Sequence, residues 1–264
     1  MLLTVDVGNS NIVIGLYGGK GDAAELVDDW RMRTEPHTTA DELALTMRGL
    51  LGEHAGEITG ISALSTVPPV LRELRVMFAR YYELIPAVII EPGVRTGLPL
   101  RVDNPREVGA DRIANAVAAY HLHSGPCVVV DFGTSTVVDA VSAAGEFLGG
   151  AFAPGVEISL DALASRASAL RAVELVPPRS VIGKTTVECL QSGILYGFAG
   201  QVDGLVNRII HELREGGMAG GSEVAVVATG GLAPLLVHEL ATVTDHRPDL
   251  TLMGLRLAFE RNAR

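Results

Sequence analysis

Short runs of apolar, mostly β-branched residues alternate along the chain with longer segments in which apolar positions recur at helical spacing. Two of these runs, residues 2–7 and 12–17, flank the polar connection 8–11 (GNSN), which predicts a β-hairpin. Thr39 followed three residues later by Glu42 predicts a capping box and a helix ending near residue 53. The alternation of strands and helices predicts an α/β fold. The other predicted elements are strands at 61–65, 87–90, 127–131 and 224–228 and helices at 68–82 and 107–121.

The opening motif of the chain occurs again 125 residues later. Residues 130–136, VDFGTST, align with residues 5–11, VDVGNSN, and each motif follows one apolar run and precedes another. Because the offset is close to half the chain, we expect two similar domains. Their expected bounds are 1–118 and 119–264, and each opens with a hairpin that carries an aspartate.

The composition excludes several classes of partner. The chain is 48% hydrophobic and 20% charged, as globular proteins are, and its formal net charge of −10 argues against nucleic acid, whose binding needs clustered Lys and Arg. Its start lacks the basic segment of a signal peptide, and no apolar run approaches the roughly 18 residues of a membrane helix. Cys127 and Cys189 have no metal-binding spacing and fit a reducing compartment. We therefore expect a cytoplasmic protein with no membrane or nucleic-acid partner.

Glycine is over-represented, at 30 of 264 residues, and four of the glycines share a helical spacing. They recur at i, i+4, i+7 and i+11, which places them on one face of a helix. An interior glycine costs a helix about 1 kcal/mol relative to alanine, so we expect this face to gain close backbone packing, within the chain or across a subunit interface. A broken loop over the same residues is the alternative. The four positions are Gly193, Gly197, Gly200 and Gly204.

The paired Asp-x-Gly turns have the chemistry of a phosphate site. Glycine turns present backbone N–H groups to an anion, and short polar side chains add further donors. Asp6 and Asp131 would repel phosphate and are expected to hold a cation, since Mg²⁺ commonly bridges carboxylates and nucleotide phosphates. A third glycine turn, 229–231, follows the predicted strand 224–228 and precedes a helix expected near Pro234. The polar donors are Asn9, Ser10, Thr134, Ser135 and Thr136.

The stretch 104–112, NPREVGADR, has two interpretations. It has the residues of a helix start, and Asp111 and Arg112 fall in the early turns of that helix. The first interpretation is a capped, solvated helix. The second is a catalytic base, Asp111, beside a carboxylate-binding cation, Arg112, introduced by Gly109 where the backbone meets a substrate.

Together these segments resemble the type III pantothenate kinases, members of the actin/hexokinase/Hsp70-like ATPase superfamily, and most strongly their actinobacterial representatives. The resemblance spans nearly the whole chain. It implies an α/β fold of two RNase H-like (actin-like ATPase) domains, each a mixed five-stranded sheet with flanking helices. The segments that carry it are DVGNS at 6–10, GADR at 109–112, DFGTST at 131–136, GGA at 149–151, GKTT at 183–186 and TGG at 229–231.

The resemblance also implies an activity. A kinase of this family transfers phosphate from ATP to the primary hydroxyl of pantothenate, which gives 4'-phosphopantothenate in the first step of coenzyme A biosynthesis. The expected cofactors are Mg²⁺ with ATP and a monovalent cation, K⁺ or NH₄⁺. The expected assembly is a homodimer with pantothenate bound near the subunit interface.

The resemblance further assigns roles to individual residues. Asp111 is the expected catalytic base, Asp131 the ligand of the monovalent cation, and Asp6 a ligand of Mg²⁺, directly or through water. The expected pantothenate contacts are Gly109, Ala110, Asp111, Arg112 and Thr186. The expected ATP-binding residues are Asp6, Val7, Gly8, Asn9, Ser10, Asn11, Ile12, Val13 and Thr134.

The chain departs from the family pattern at two positions. Ser10 stands where a threonine is common, and it offers the same hydroxyl. Val102 stands in the region where many members have a tyrosine that contacts pantothenate, and valine cannot donate that hydrogen bond. Two alternatives remain open: a kinase of another small hydroxyl substrate on the same fold, and a non-enzymatic regulator that has kept the nucleotide fold.

Overall fold

The computed structural model describes residues 1–166 and 173–263, which form two compact units. The first unit contains Met1–Leu98, Asn104–Ala118 and the chain from Leu250, and the second contains Pro99–Asp103 and Ala119–Asp249. In chain order the strands are β1 (Leu2–Val7), β2 (Asn11–Gly18), β3 (Glu25–Arg33), β4 (Gly60–Ser65), β5 (Ala87–Ile89), β6 (Cys127–Phe132), β7 (Ser135–Val141), β8 (Phe147–Pro154), β9 (Ala225–Thr229) and β10 (Asp245–His246). The α-helices are α1 (Ala40–Leu51), α2 (Pro68–Tyr81), α3 (Ala110–His123), α4 (Val156–Arg166), α5 (Thr186–Glu215), α6 (Ala233–Leu236) and α7 (Leu250–Asn262).

The first unit is built on a mixed five-stranded sheet in the order β3-β2-β1-β4-β5. Strands β1 and β2 are antiparallel, with Asp6 opposite Val13 and Val7 opposite Ile12, so the predicted hairpin is confirmed. Strand β3 is antiparallel to β2, whereas β4 runs parallel to β1 and β5 runs parallel to β4. Helix α2 supplies the crossover that the parallel neighbours β4 and β5 require.

Successive side chains of β1 point to opposite faces of this sheet. Leu3 and Val5 are fully buried in an apolar cluster that includes Met47 of α1 and Leu74 of α2. Helix α1 starts as the sequence predicts: the Glu42 N–H donates to Thr39 Oγ1, and the Thr39 N–H donates to the Glu42 carboxylate. Helices α1 and α2, which follow β3 and β4, thereby cover one face of the sheet.

The C-terminal helix α7 belongs to the first unit, although the expected division places it in residues 119–264. Its residues Leu252 and Leu255 bury against Tyr17 of β2 and Leu64 of β4 in a second apolar cluster. The buried Ser62 of β4 donates from Oγ to the Leu255 carbonyl at 2.7 Å, across a sequence separation of 193 residues. Such contacts between distant residues, which no local sequence pattern reveals, assign α7 to the sheet of the first unit.

Helix α3 begins three residues later than the predicted start at 107. A separate 3₁₀ turn, Pro105–Glu107, comes first, and Asn104 caps it by accepting a hydrogen bond from the Arg106 N–H. Val108 then adopts an extended conformation, so the α-helix begins at Ala110. The GADR segment therefore occupies the start of the helix, where its first backbone N–H groups lack helical partners.

The second unit repeats the sheet of the first. Its order β8-β7-β6-β9-β10 matches β3-β2-β1-β4-β5 strand for strand, with β7 antiparallel and β9 parallel to the central β6. Strand β6 begins and ends 125 residues after β1, which is the offset of the sequence repeat. The two predicted domains with mixed five-stranded sheets are confirmed as a fold, and the sequence repeat corresponds to a structural one.

Helix α5 is 30 residues long and carries the four spaced glycines on one face. Its opposite face buries Leu195, Ala199, Val202 and Val206 in the core of the second unit. All four spaced glycines are exposed, and a Cβ on any of them would have no described atom within 4 Å. The helix is confirmed and the broken loop is wrong, but the described residues supply no partner for the glycine face. Neither α5 nor any other described helix is long and apolar enough to cross a membrane.

Candidate active site

The first glycine loop, residues 8–10, and the end of β1 before it are held through their carbonyl groups by the residues that directly follow β3 and β4. Thr34, directly after β3, donates from Oγ1 to the Gly8 carbonyl at 2.7 Å and from its N–H to the Ser10 carbonyl at 3.0 Å. On the other side the Thr66 N–H, directly after β4, donates to the Val7 carbonyl at 2.9 Å. These bonds fix the loop between β1 and β2 in one backbone conformation.

The predicted ATP-binding residues 6–13 all lie in this hairpin, but they differ in exposure. Val7 and Ile12 are fully buried in the core of the first unit, so only their backbone groups could face a ligand. Asp6 is partly buried near the end of β1. The exposed polar side chains of the segment are Asn9, Ser10 and Asn11.

Thr34 is a part of this site that the sequence did not reveal, because nothing local distinguishes it from other residues at strand ends. Replacing Thr34 with Val is expected to weaken ATP binding and to cost about 1–3 kcal/mol of stability, because the Gly8 carbonyl loses a buried donor. Calorimetric titration with ATP and thermal unfolding measure the two effects. Thr34→Ser keeps the hydroxyl and should bind ATP like the wild type. Equal ATP affinities for the Val and Ser variants would show that the loop does not depend on this bond.

Three glycine segments of the second unit meet at the end of β6. Gly155, directly after β8, packs on the second loop, where a Cβ would lie 2.7 Å from the Thr134 carbonyl carbon and closer still to its oxygen. Gly230 has a φ of 95°, and a Cβ there would lie 2.5 Å from Asp131 Oδ1 and 2.6 Å from Phe132 N. Only glycine fits such approaches. The third glycine turn of the sequence therefore lies beside the second Asp-x-Gly loop.

Two glycines approach the Asp131 carboxylate closely. A Cβ on Gly230 would lie 2.5 Å from Asp131 Oδ1, and one on Gly133 would lie 3.6 Å from the same oxygen. Within residues 1–166 and 173–263 no group of three or more His, Cys, Asp or Glu is placed to hold a metal ion. A cation here would take a single carboxylate and complete its shell with other oxygens, as hard cations bound with nucleotide phosphates do.

The GADR segment forms the first turn of α3. The Arg112 N–H donates to Asp111 Oδ1 at 2.9 Å, so the carboxylate folds back over the start of the helix, where the helix dipole favours a negative charge. A Cβ on Gly109 would collide with that same oxygen. Glycine at 109 thus leaves room for this position of the aspartate side chain, a reason that spacing alone could not supply. One carboxylate oxygen serves the helix start, and Oδ2 is left for another partner.

Thr186 is the first residue of α5, and a hydrogen-bonded turn of the second unit precedes it. Thr185 caps the helix by accepting from the Glu188 N–H at 3.2 Å. The Glu188 carboxylate accepts from the Lys184 N–H at 2.8 Å and from Arg179 Nε at 2.5 Å, and the Arg179 contact lowers the pKa of Glu188. Thr186 itself is exposed, so its hydroxyl is accessible to a ligand.

Val102, at the departure from the family pattern, lies in the short segment Pro99–Asp103 of the second unit. The Arg101 N–H donates to the Phe147 carbonyl at 2.8 Å, which attaches this segment to the start of β8. Val102 is half-buried, and a Cβ on Gly149 would lie 3.5 Å from Val102 Cγ1. The valine therefore packs on β8, a contact that needs no hydroxyl.

Each of the two sheets has an aspartate on its central strand and a glycine loop directly after it, and this arrangement is that of the actin-like ATPase fold. Solved structures agree. An archaeal actin homologue is 14% identical with a TM-score of 0.50, and the match covers 99% of both chains. A Campylobacter jejuni protein described as a Baf family transcriptional activator is 17% identical with a TM-score of 0.61, over 99% of this chain and 98% of that one. At these identities the likeness shows the fold alone.

Comparison at the sequence level narrows this class to one family. The model of the type III pantothenate kinase family matches residues 2–208. A protein of the actinobacterium Saccharopolyspora erythraea named type III pantothenate kinase is 69% identical, over 99% of both chains. The chain belongs to the type III pantothenate kinase family. The resemblance predicted from the motifs is confirmed.

Proposed function

We propose that this enzyme transfers the γ-phosphoryl group of ATP to the primary hydroxyl of pantothenate, giving 4'-phosphopantothenate and ADP. The observation that carries the proposal is the 69% identity to a type III pantothenate kinase over the whole chain. The GADR segment at the start of α3 and both glycine loops agree with it. Because the phosphate donor is ATP and the product enters coenzyme A synthesis, we place the enzyme in the cytoplasm.

The two glycine loops are the proposed phosphate sites. Backbone N–H groups around Gly8 and Gly133 hold the phosphates of ATP, and Thr134 contacts the nucleotide. In the first loop Val7 and Ile12 contribute backbone groups only, because their side chains are buried. Phosphoryl transfer has a loose transition state, so positioning and charge stabilisation account for most of the rate enhancement. Loops fixed by hydrogen bonds and close backbone contacts suit that task.

Asp111 is the proposed general base. Its Oδ1 is held by the Arg112 N–H, which leaves Oδ2 to accept the proton of the pantothenate hydroxyl as the new O–P bond forms. The bond from the γ-phosphorus to the ADP oxygen breaks in the same step. Gly109, Ala110 and Arg112 are the proposed pantothenate contacts beside it, with Thr186 as a further contact. A guanidinium such as that of Arg112 suits a carboxylate, because it can donate two parallel hydrogen bonds.

As an ATP-dependent kinase the enzyme uses a divalent metal with ATP. Mg²⁺ bound to the phosphates supplies neutralisation of the charge that develops during transfer. Asp6 is the proposed residue that orients this ion, directly or through water. Asp131 is the proposed ligand of a monovalent cation, K⁺ or NH₄⁺, and its place at the end of the central strand β6, directly before the second glycine loop, supports this role.

Activity is expected to depend on the monovalent cation. Replacing K⁺ or NH₄⁺ by a bulky organic cation should lower kcat at least about tenfold, which corresponds to about 1.4 kcal/mol of barrier. Asp131→Asn should lose the response to added K⁺. Steady-state rates across a K⁺ titration at constant ionic strength provide the measurement. Wild-type rates that do not change across the K⁺ titration would show that activity does not require the monovalent cation.

A kinase of another small hydroxyl substrate and a non-enzymatic regulator are the two alternatives on this fold. A non-enzymatic regulator is not favoured, because Asp6 and Asp131 are both present near the ends of β1 and β6 and Asp111 is present in the first turn of α3. Growth of a bacterial strain that lacks its own pantothenate kinase distinguishes the regulator from the enzyme. The wild-type chain should restore growth, and an Asp111→Asn chain expressed at the same level should not. Equal rescue by both chains, or by neither, would count against the proposed enzyme.

The glycine face of α5 is the proposed homodimer contact. Its four glycines are exposed, and a Cβ on any of them would meet no described atom within 4 Å outside the helix's own nearby backbone. Large apolar side chains are exposed in the same unit, including Phe152 at 64% and Ile182 at 72%. Glycines that cost a helix stability are explained if a second α5 packs on their bare backbone.

Substituting Gly197 with Leu is expected to shift the protein from dimer to monomer, because the side chain would keep the two helices apart. Light scattering after gel filtration measures the mass directly. Gly49→Leu is the matched control, since Gly49 is also an exposed helical glycine with open space around it, on α1. A Gly197→Leu protein that elutes as the same dimer would place the interface elsewhere.

A further inference from the structure

The backbones of α7 and α3 are in direct contact within the first unit. Gly254 of α7 lies against Ala114 of α3, where a Cβ would come 2.5 Å from the Ala114 carbonyl carbon and closer still to its oxygen. No other residue type fits between the two helices at this point. Ala114 is itself fully buried, in a cluster with Leu252 and Leu255 of α7. Helix α7 therefore packs directly against α3 at Ala114.

A buried hydrogen bond joins the same two helices. Thr251 Oγ1 donates to Asn115 Oδ1 at 2.8 Å, and Asn115 is only 2% exposed. Asn115 follows Asp111 by four residues, which is about one helical turn. The bond thus restrains the rotation of α3 about its axis and its position along that axis, one helical turn after the GADR segment.

Helix α7 is in turn attached to the rest of the first unit. Ser62 of β4 donates from Oγ to the Leu255 carbonyl at 2.7 Å. Arg256, which is 4% exposed, donates from Nη1 to the Gly21 carbonyl at 3.0 Å and to Glu260 Oε1 at 2.9 Å. These bonds lie away from α3. The sheet therefore holds α7, and α7 holds the first turns of α3.

We propose that Thr251 and Gly254 are positioning residues for the Asp111 carboxylate. The C-terminal helix α7 then determines where the catalytic base lies. The inference rests on the proposed function of Asp111 and extends it to a helix outside the segment 2–208 that the family model matches. A shift of about 1 Å in a catalytic group can cost about 10²-fold in rate. The Thr251 bond and the Gly254 contact restrain such a shift of α3.

Thr251→Val removes the hydroxyl and keeps the shape of the side chain. It should lower kcat about 10- to 100-fold and leave the KM for ATP unchanged, because the phosphate loops are not touched. Thr251→Ser restores the donor and should restore kcat. Should Thr251→Val be too unstable to assay, Thr251→Ala removes the same hydroxyl without adding bulk.

Ser62→Ala is the matched control. It also removes one buried hydrogen bond from α7, but on the side of β4 instead of α3. It should lower the melting temperature about as much as Thr251→Val does and leave kcat unchanged. A purely structural role of α7 would instead make the two variants equal in both quantities.

Hydrogen exchange supplies a readout that does not depend on activity. The Ile113 N–H donates to the Gly109 carbonyl at 3.2 Å and closes the first turn of α3. Amides of this turn should exchange faster in Thr251→Val and remain protected in Ser62→Ala. Unchanged exchange together with unchanged kcat in Thr251→Val would overturn the proposal. A wild-type chain that does not phosphorylate pantothenate would instead refute the proposed function, and the exchange data would still test the link between the helices.

Discussion

In the Asp111→Asn variant, kcat for pantothenate falls about 10²–10⁴-fold, the usual contribution of a general base, while the protein remains folded. The fold should persist because the asparagine Oδ1 can still accept the hydrogen bond from the Arg112 N–H that closes the start of α3. The amide cannot accept the proton of the attacking hydroxyl at its other atom. Steady-state kinetics and a thermal melt of the same preparation separate these two effects.

Asp22→Asn is the control for loss of one negative charge. Asp22 is exposed in the 3₁₀ turn Gly21–Ala23 of the first unit, and its replacement should leave kcat unchanged. The KM for ATP should be similar in the wild type and both variants. An Asp111→Asn enzyme with a kcat near that of the wild type would assign the base to another group.

Gly155→Ala should lower kcat/KM for ATP about 10²-fold, the cost of a misplacement of about 1 Å in the reacting groups. The added Cβ would lie 2.7 Å from the Thr134 carbonyl carbon, so either the second loop or the end of β8 must move away. Backbone cannot yield as a flexible side chain does. The loss should appear in ATP binding, measured by calorimetric titration, as well as in turnover.

Gly49→Ala provides the comparison for this glycine substitution. A Cβ on Gly49 of α1 meets nothing within 4 Å, so alanine there should raise stability by up to about 1 kcal/mol and leave ATP kinetics unchanged. If Gly155→Ala bound ATP as tightly as Gly49→Ala, the close approach to Thr134 would have no role in the nucleotide site.

The sequence predicted those parts of the fold that depend on local patterns. The hairpin of β1 and β2 follows from two apolar runs around a polar turn, and the capping box of Thr39 and Glu42 is present as predicted. The 125-residue repeat predicted the second sheet, because duplicated strands with the same turns adopt the same pairing. In each case the information lies within a few neighbouring residues or in an internal comparison.

The features that the sequence did not predict depend on contacts between distant residues. The expected division at 118/119 places α7 in the second domain, because the local sequence of this helix does not say which sheet it covers. Thr34 is an ordinary residue at a strand end until the fold brings it to the Gly8 carbonyl. Gly109 is expected from the sequence to contact a substrate, and the structure adds a second reason for glycine there, since an added Cβ would meet Asp111 Oδ1.

The central claim is tested most directly by identifying the product. The purified chain is incubated with ATP, Mg²⁺ and K⁺ and with pantothenate or another small hydroxyl compound, and the products are analysed by mass spectrometry. We expect 4'-phosphopantothenate and ADP in equal amounts, formed only with pantothenate and nearly absent with Asp111→Asn. ADP release without 4'-phosphopantothenate, or faster phosphorylation of another hydroxyl compound, would contradict the account.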